Sequence, residues 1–381
     1  MSTKLRISIL AAALMLTVRG AAGDGPKEDG APAVKLEQVG PQVTGAVDRM
    51  AERLKQGPVE QTPVADRSAL FLLDVDKGEV TLIADEPDPG RKYCGSPRWS
   101  SDGRRILFDS SPGMVWSKTR LKSIDLTDDR LKVADLGLGN CPSFSPDGKR
   151  IAYLVNHGAA PDLKYGVWTM QSDGSDRRRH EVFGIPKWSP DGKQLLIVRF
   201  GSPVEMSLMD VESDQVQPIR LPGYKIHSSP SWAGPGTLVA VASSDEGAAV
   251  VFLDVTNPSE AKIKEILWKK GDRLDGNPSY PIYSPVTGRC VFVSREPQGM
   301  ALYSIQRGTF GPPKRLEAQG FDNKIASLEF SPDGRYVLFC SDRLDRRAHA
   351  AVGSTLAPIR PTIRTPSTSG RAVEGLVELI R

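Results

Sequence analysis

Phe144-Ser145-Pro146-Asp147-Gly148-Lys149 runs directly into Arg150-Ile151-Ala152-Tyr153-Leu154-Val155. The first stretch is turn chemistry. Proline presets φ at the first corner, aspartate bonds to its own backbone, and glycine takes positive φ without steric cost. The second stretch is rich in β-branched and aromatic residues, as a strand requires. An aromatic residue, a tight turn and a strand together predict a β-hairpin.

The same hairpin recurs along the chain. Trp99-Ser100-Ser101-Asp102-Gly103 precedes it, and Trp188-Ser189-Pro190-Asp191-Gly192 follows. The pattern fades at Trp232-Ala233-Gly234-Pro235-Gly236 and Tyr283-Ser284-Pro285-Val286-Thr287-Gly288. It returns as Phe330-Ser331-Pro332-Asp333-Gly334. The turn glycines are spaced 45, 44, 44, 52 and 46 residues apart. That period marks a propeller blade, provided each hairpin has a second strand pair beside it.

Five such pairs follow hairpins, beginning at Leu121–Leu126, Gly166–Gln171, Met206–Val211, Val250–Val255 and Ala301–Gln306. No sixth pair follows Cys340. The missing strands stand at the front, in Ala69–Asp74 and Val80–Ala84, separated by a polar hairpin turn that includes Asp76. The expected fold is therefore all-β: a six-bladed β-propeller of four-stranded blades. Its last blade is closed by strands from both chain ends, which leaves no open sheet edge.

The aromatic-Ser-Pro-Asp-Gly repeat resembles the WD40-like repeat of TolB-type propellers. The resemblance covers residues 68–342. It implies a binding role with a protein partner in the cell envelope or the extracellular space.

Outside those residues the chain changes character. Lys4 and Arg6, the apolar run Ile7–Val18 and the small residues Gly20–Gly23 read as a secretory signal peptide over 1–23. Residues 24–67 form a polar segment in which Val43, Val47, Met50 and Leu54 predict one short amphipathic helix. Residues 343–381 are a basic tail rich in proline, serine and threonine, ending in a second helix-like stretch. The expectation is thus a periplasmic or secreted protein, monomeric, with no integral membrane segment after signal cleavage. Loss of Lys4, Arg6 and Arg19 takes the formal charge from +4 to +1. So balanced a chain is not expected to bind nucleic acid through bulk charge.

Catalytic signatures are sparse. No Gly-x-Ser-x-Gly elbow, phosphate loop or dinucleotide fingerprint occurs. The four histidines are scattered, without metal-ligand spacing. Neither a catalytic residue, a metal nor a cofactor is expected. Asp102, Asp147, Asp191 and Asp333, with Gly103, Gly148, Gly192 and Gly334, read as structural turn residues. They follow the repeat, whereas catalytic groups break it. Cys94 and Cys141 begin the inner strands of adjacent blades and are expected to form a disulfide. Cys290 and Cys340 are expected to be buried and unpaired.

Function is expected on the opposite face, where the connections are longer and irregular. Arg91, Lys92, Tyr93, Trp116, His157, Tyr165, Tyr224, His227, Tyr280 and Phe321 lie in those connections. Aromatic residues beside cations suit a protein-binding surface. The leading expectation is a non-catalytic binding module acting through this loop face. The alternative is a propeller lyase or hydrolase on a sugar or lactone, with a divalent metal in the channel.

Overall fold

The computed structural model describes residues 68–342, apart from 85–92, 113–114, 128–132, 202, 270–275, 310, 317–321 and 323. The expected signal peptide, the two expected short helices and the basic tail lie outside the described residues.

The strands fall into six antiparallel sheets. β1 (Ala69–Asp74) and β2 (Val80–Ala84) come first. Blade one holds β3 (Tyr93–Trp99), β4 (Arg105–Ser111), β5 (Arg120–Asp125) and β6 (Val133–Leu138). Blade two holds β7 (Asn140–Phe144), β8 (Arg150–Val155), β9 (Gly166–Gln171) and β10 (Arg178–His180). Blade three holds β11 (Ile185–Trp188), β12 (Gln194–Arg199), β13 (Glu205–Asp210) and β14 (Val216–Pro218). In blade four the inner strand is split into β15 (Lys225–Ile226) and β16 (Ser231–Gly234), and β17 (Thr237–Ser244), β18 (Gly247–Asp254) and β19 (Lys262–Lys269) follow. Blade five holds β20 (Asn277–Ser284), β21 (Arg289–Glu296), β22 (Gly299–Gln306) and β23 (Lys314–Arg315). β24 (Ile325–Phe330) and β25 (Tyr336–Ser341) complete the described strands.

The sixth sheet has the order β2-β1-β25-β24. β1 pairs with β25 along its whole length, from Ala69 opposite Ser341 to Asp74 opposite Tyr336. Every residue of β1 is buried. Alternate residues serve two seams. Leu70 and Leu72 pack with Trp99, Ile106 and Phe108 of blade one, whereas Phe71 and Leu73 pack with Val291, Val293 and Leu302 of blade five. This is the expected closure.

Each full turn motif is latched in one way. In blade two, Ser145 Oγ donates to Asp147 Oδ1 at 2.6 Å and accepts the Arg150 N–H at 2.9 Å, and Asp147 Oδ1 also accepts the Lys149 N–H at 3.1 Å. Blades one, three and six repeat the set on Ser100/Asp102, Ser189/Asp191 and Ser331/Asp333. The turn glycine takes φ +70° in blade two, a conformation that strains any residue bearing a Cβ. Just beyond the turn an arginine ties one blade to the next. Arg105 lies over the Phe144 ring at 5.0 Å and donates to the Gly148 carbonyl at 2.9 Å, and Arg150 lies over Trp188 at 5.4 Å. One carboxylate oxygen of each aspartate is thus engaged within its turn.

Leu72→Ala is expected to cost about 2–5 kcal/mol, because it empties a site packed from both sides. Val133→Ala, on an exposed position, should stay within about 0.5 kcal/mol. Urea denaturation followed by tryptophan fluorescence checks both. An unchanged midpoint for Leu72→Ala would show that the clasp lies outside the cooperative unit.

Candidate functional site: the loop face and the channel

Neighbouring inner strands touch around the axis: β24 with β3, β3 with β7, β7 with β11, β16 with β20 and β20 with β24. Four of them carry the same irregularity. The ladder register shifts beside Ser96, Cys141, Tyr280 and Ser327, four residues before the turn serine in each case. All four adopt left-handed φ, between 47° and 55°. Such a conformation costs a non-glycine residue about 1–2 kcal/mol. Blade three pairs without a shift, and blade four breaks its strand at His227–Pro230 instead. These bulges lie near the start of the inner strand, so they ring the channel end that opens on the loop face.

Asp109 is fixed among them. Its Oδ2 accepts the Cys141 N–H at 2.8 Å, and it is hydrogen-bonded to Ser96. Gly95 admits the carboxylate, since a Cβ there would stand 2.6 Å from Asp109 Oδ1. Burial pushes the Asp109 carboxyl up, while the Cys141 N–H, Ser96 and Arg98 pull it down.

Two residues further along each inner strand, the register places Arg98, Ser143, Lys187, Ser231, Ile282 and Glu329 at equivalent positions. Three of these six carry charge. Arg98 Nη1 stands 3.6 Å from Glu329 Oε2 and donates to the Pro97 carbonyl at 2.7 Å. Lys187 is only 8% exposed, and its ammonium donates to the Pro230 carbonyl of blade four at 2.5 Å. The Glu329 side chain keeps 33% of its surface, although protein surrounds the group. Burial and the Arg98 guanidinium drive the Lys187 amine down to about 7, against Glu329 and Cys141. Burial pushes the Glu329 carboxyl up, against Arg98 and Lys187. Both shifts favour a neutral pair.

Of the loop-face residues read from sequence, the structure brings two together. His157 and Tyr165 stack with ring centroids 3.5 Å apart and 29° between planes. Phe183 closes the cluster at 6.4 and 6.2 Å, and Arg179 lies over Tyr165 at 6.0 Å. Tyr165 remains 43% exposed. His157 and Tyr165 come from the connection between β8 and β9, and Phe183 from the one between blades two and three. Tyr224 is 40% exposed on the approach to β15, and His227 hydrogen-bonds Ser243 through Nε2. Trp116 is half-buried, and Tyr93 carries Lys324 over its ring at 5.5 Å. Tyr280 sits at the channel as a bulge residue, its N–H donating to Ser228 Oγ at 3.2 Å. Arg91, Lys92 and Phe321 lie outside the described residues.

The expected Cys94–Cys141 disulfide is not formed, and all four cysteines are thiols. Cys94 precedes the bulge of its strand and packs in the seam with Leu70 and Cys340. Cys141 is itself the bulge residue, and its Sγ lies 3.5 Å from Ser96 Oγ. A bulge rotates the chain locally, so similar distances from the turn glycine conceal different environments. Burial pushes the Cys141 and Cys340 thiols up to about 12. Cys290 is wholly buried in the seam of blades four and five.

Comparison with known proteins agrees with this architecture. No family model matches the chain. Over 113 residues it is 32% identical to the Tol-Pal system protein TolB of Anaeromyxobacter dehalogenans, and 31% identical to TolB from a second strain. Each match covers 29% of this chain and 23% of the relative. A solved structure from Agrobacterium tumefaciens, designated TolB, superposes with a TM-score of 0.54 at 17% identity, covering 72% of this chain and 98% of that one. The chain is a TolB-like six-bladed β-propeller. TolB from Acinetobacter baumannii aligns over 82% of the chain at 18% identity, with a TM-score of 0.44. Among the described residues of this TolB-like propeller, no group of three or more His, Cys, Asp or Glu comes together as a metal site. Nor is any helix among them long and apolar enough to cross a membrane.

Sequence reading missed Asp109, Arg98, Lys187 and Glu329. A signal was present for the last three, because each stands two residues before a turn serine, in otherwise apolar or small surroundings. A pH dependence follows. The Lys187 amine titrates lower in the folded protein than in the unfolded chain, where lysine lies near ~10.4. Above about 7 the unfolded chain therefore binds more protons at this residue, and stability rises with pH. Cys141 and Cys340 act oppositely, but only above about 8.5, where unfolded thiols ionise. Between pH 7 and 8.5 the wild type should gain on the order of 1 kcal/mol relative to Lys187→Met. Urea melts at the two pH values measure this. Parallel pH slopes for the two proteins would rule out a depressed Lys187.

Proposed function

We propose that the protein is a non-catalytic binding module of the periplasm or the extracellular space, holding a protein partner on its loop face. The single observation behind this reading is the ring cluster of exposed His157 and Tyr165 with half-buried Phe183 and Arg179. Rigid aromatic side chains beside an arginine are the residue types that dominate binding energy at protein interfaces. Here strands on both sides hold them. Arg179 Nε donates to the Tyr165 carbonyl at 3.0 Å, and Trp168 Nε1 donates to the Lys164 carbonyl at 2.9 Å. The rings are ordered before any partner arrives, which lowers the entropic cost of association.

The relatives at 32% and 31% identity are described as Tol-Pal system proteins. That description supports an envelope partner and a periplasmic or secreted location for this chain. The turn aspartates are latched into hairpins, which leaves the opposite face to make contacts. The metal-dependent lyase or hydrolase reading has no comparable support from the geometry.

Tyr165→Ala, and separately His157→Ala, is expected to weaken partner binding by roughly 30-fold, the loss of one interfacial anchor. The readout is recovery of the bound partner from native envelope extract, with the substituted and wild-type chains immobilised at equal density. Equal recovery would place the binding surface elsewhere.

A further inference from the structure

Among the described residues, Lys187 is a buried lysine that neither the turns nor the seams account for. A buried lysine normally meets a carboxylate, because an unpaired buried charge is costly. The hydrogen-bond partner of its amine is instead a neutral carbonyl, that of Pro230. Glu329 approaches Arg98 rather than Lys187, and at 3.6 Å that contact is loose. Arg98 in turn offers five N–H donors, of which one serves the Pro97 carbonyl.

These three residues come from blades one, three and six, yet the ladder gives them a common height. Arg98 is opposite Leu107, Lys187 opposite Leu196 and Glu329 opposite Leu338, the equivalent place in each blade. A guanidinium, an amine and a carboxyl group therefore stand at one level of the inner strands, each within electrostatic reach of the other two. The Glu329 side chain keeps 33% of its surface exposed. Ser96, Cys141, Tyr280 and Ser327 hold strained backbone at the mouth above. Strain of this kind collects where function does.

We propose that Arg98, Lys187 and Glu329 form a channel site for small 2-oxo acids, captured as a reversible imine on Lys187. Each group has a part fitted to its chemistry. Arg98 takes the ligand carboxylate, which guanidinium binds through two parallel hydrogen bonds. The neutral amine of Lys187 adds to the adjacent ketone carbon, with its nitrogen lone pair forming the C–N bond. Glu329 delivers a proton to the carbinolamine hydroxyl and receives one from nitrogen, so that one water leaves. The product is the imine, and water reverses every step. No oxidant or reductant takes part. Burial and Arg98 keep the amine unprotonated near neutral pH, which the addition requires. Glu329 and Cys141 are the acidic groups that face this amine, and Arg98 is the basic one. The site is independent of the loop-face reading.

The test traps the imine. Full-length protein is incubated with pyruvate and sodium cyanoborohydride, then digested and mapped by mass spectrometry. The expected result is a mass gain of one pyruvate less one water plus two hydrogens, on the Lys187 peptide in preference to every other lysine. Arg98→Met should reduce that labelling on the order of 10-fold, the loss of one charge-assisted contact. Acetone, a ketone that lacks the carboxylate, should label Lys187, relative to the surface lysines, by a similar factor less than pyruvate. Circular dichroism confirms that the variant is folded. If Arg98→Met does not fold, the pyruvate–acetone comparison on the wild type decides alone. Labelling spread evenly over surface lysines would overturn the proposal. So would equal labelling by the two probes, which would mean a reactive amine without carboxylate recognition.

Discussion

Everything in this molecule depends on one ladder, in which β1 pairs with β25 from Ala69 opposite Ser341 to Asp74 opposite Tyr336. Five blades can be built from consecutive chain, but the ring exists only when segments far apart in sequence make the sixth. Without that ladder β25 and β1 would each present unpaired backbone, and the seams on both sides would lose Leu70, Phe71, Leu72 and Leu73. The channel depends on it too, because Glu329 and Ser327 belong to β24, on the same sheet. Their distance from Arg98 and Ser96 is set by the clasp together with the contact of β24 with β3.

The repeat accounts for most of what was legible in the sequence. A serine, an aspartate and a glycine at fixed offsets make a turn that needs no tertiary context. Asp147 is satisfied by Ser145 and the Lys149 N–H wherever the hairpin stands. Such local chemistry can be read from one blade and counted along the chain. The missing strand pair at the end and its presence at the start then define the closure.

The site was less legible, for physical reasons that differ by residue. His157 and Tyr165 belong to one connection, so their proximity is visible in sequence. Phe183 joins them from the following connection, and only the fold supplies that neighbour. Arg98, Lys187 and Glu329 are separated by whole blades, and what unites them is a register position on the inner strand. The error at Cys94 and Cys141 has the same root. A bulge beside residue 96 or 141 shifts the ladder, and alternation along a strand does not reveal where such a shift falls.

The clasp also sets a timetable. β1 precedes its partner in synthesis and carries Ala-Leu-Phe-Leu-Leu, all of it buried in the finished ring. Its partner β25 begins only at Tyr336. At roughly 5–20 residues per second, on the order of tens of seconds separate the two segments in synthesis. Throughout that interval the most apolar strand of the last blade has β2 on one edge and nothing on the other. The topology therefore keeps an extended apolar segment without its final partner until the other end of the chain has been made.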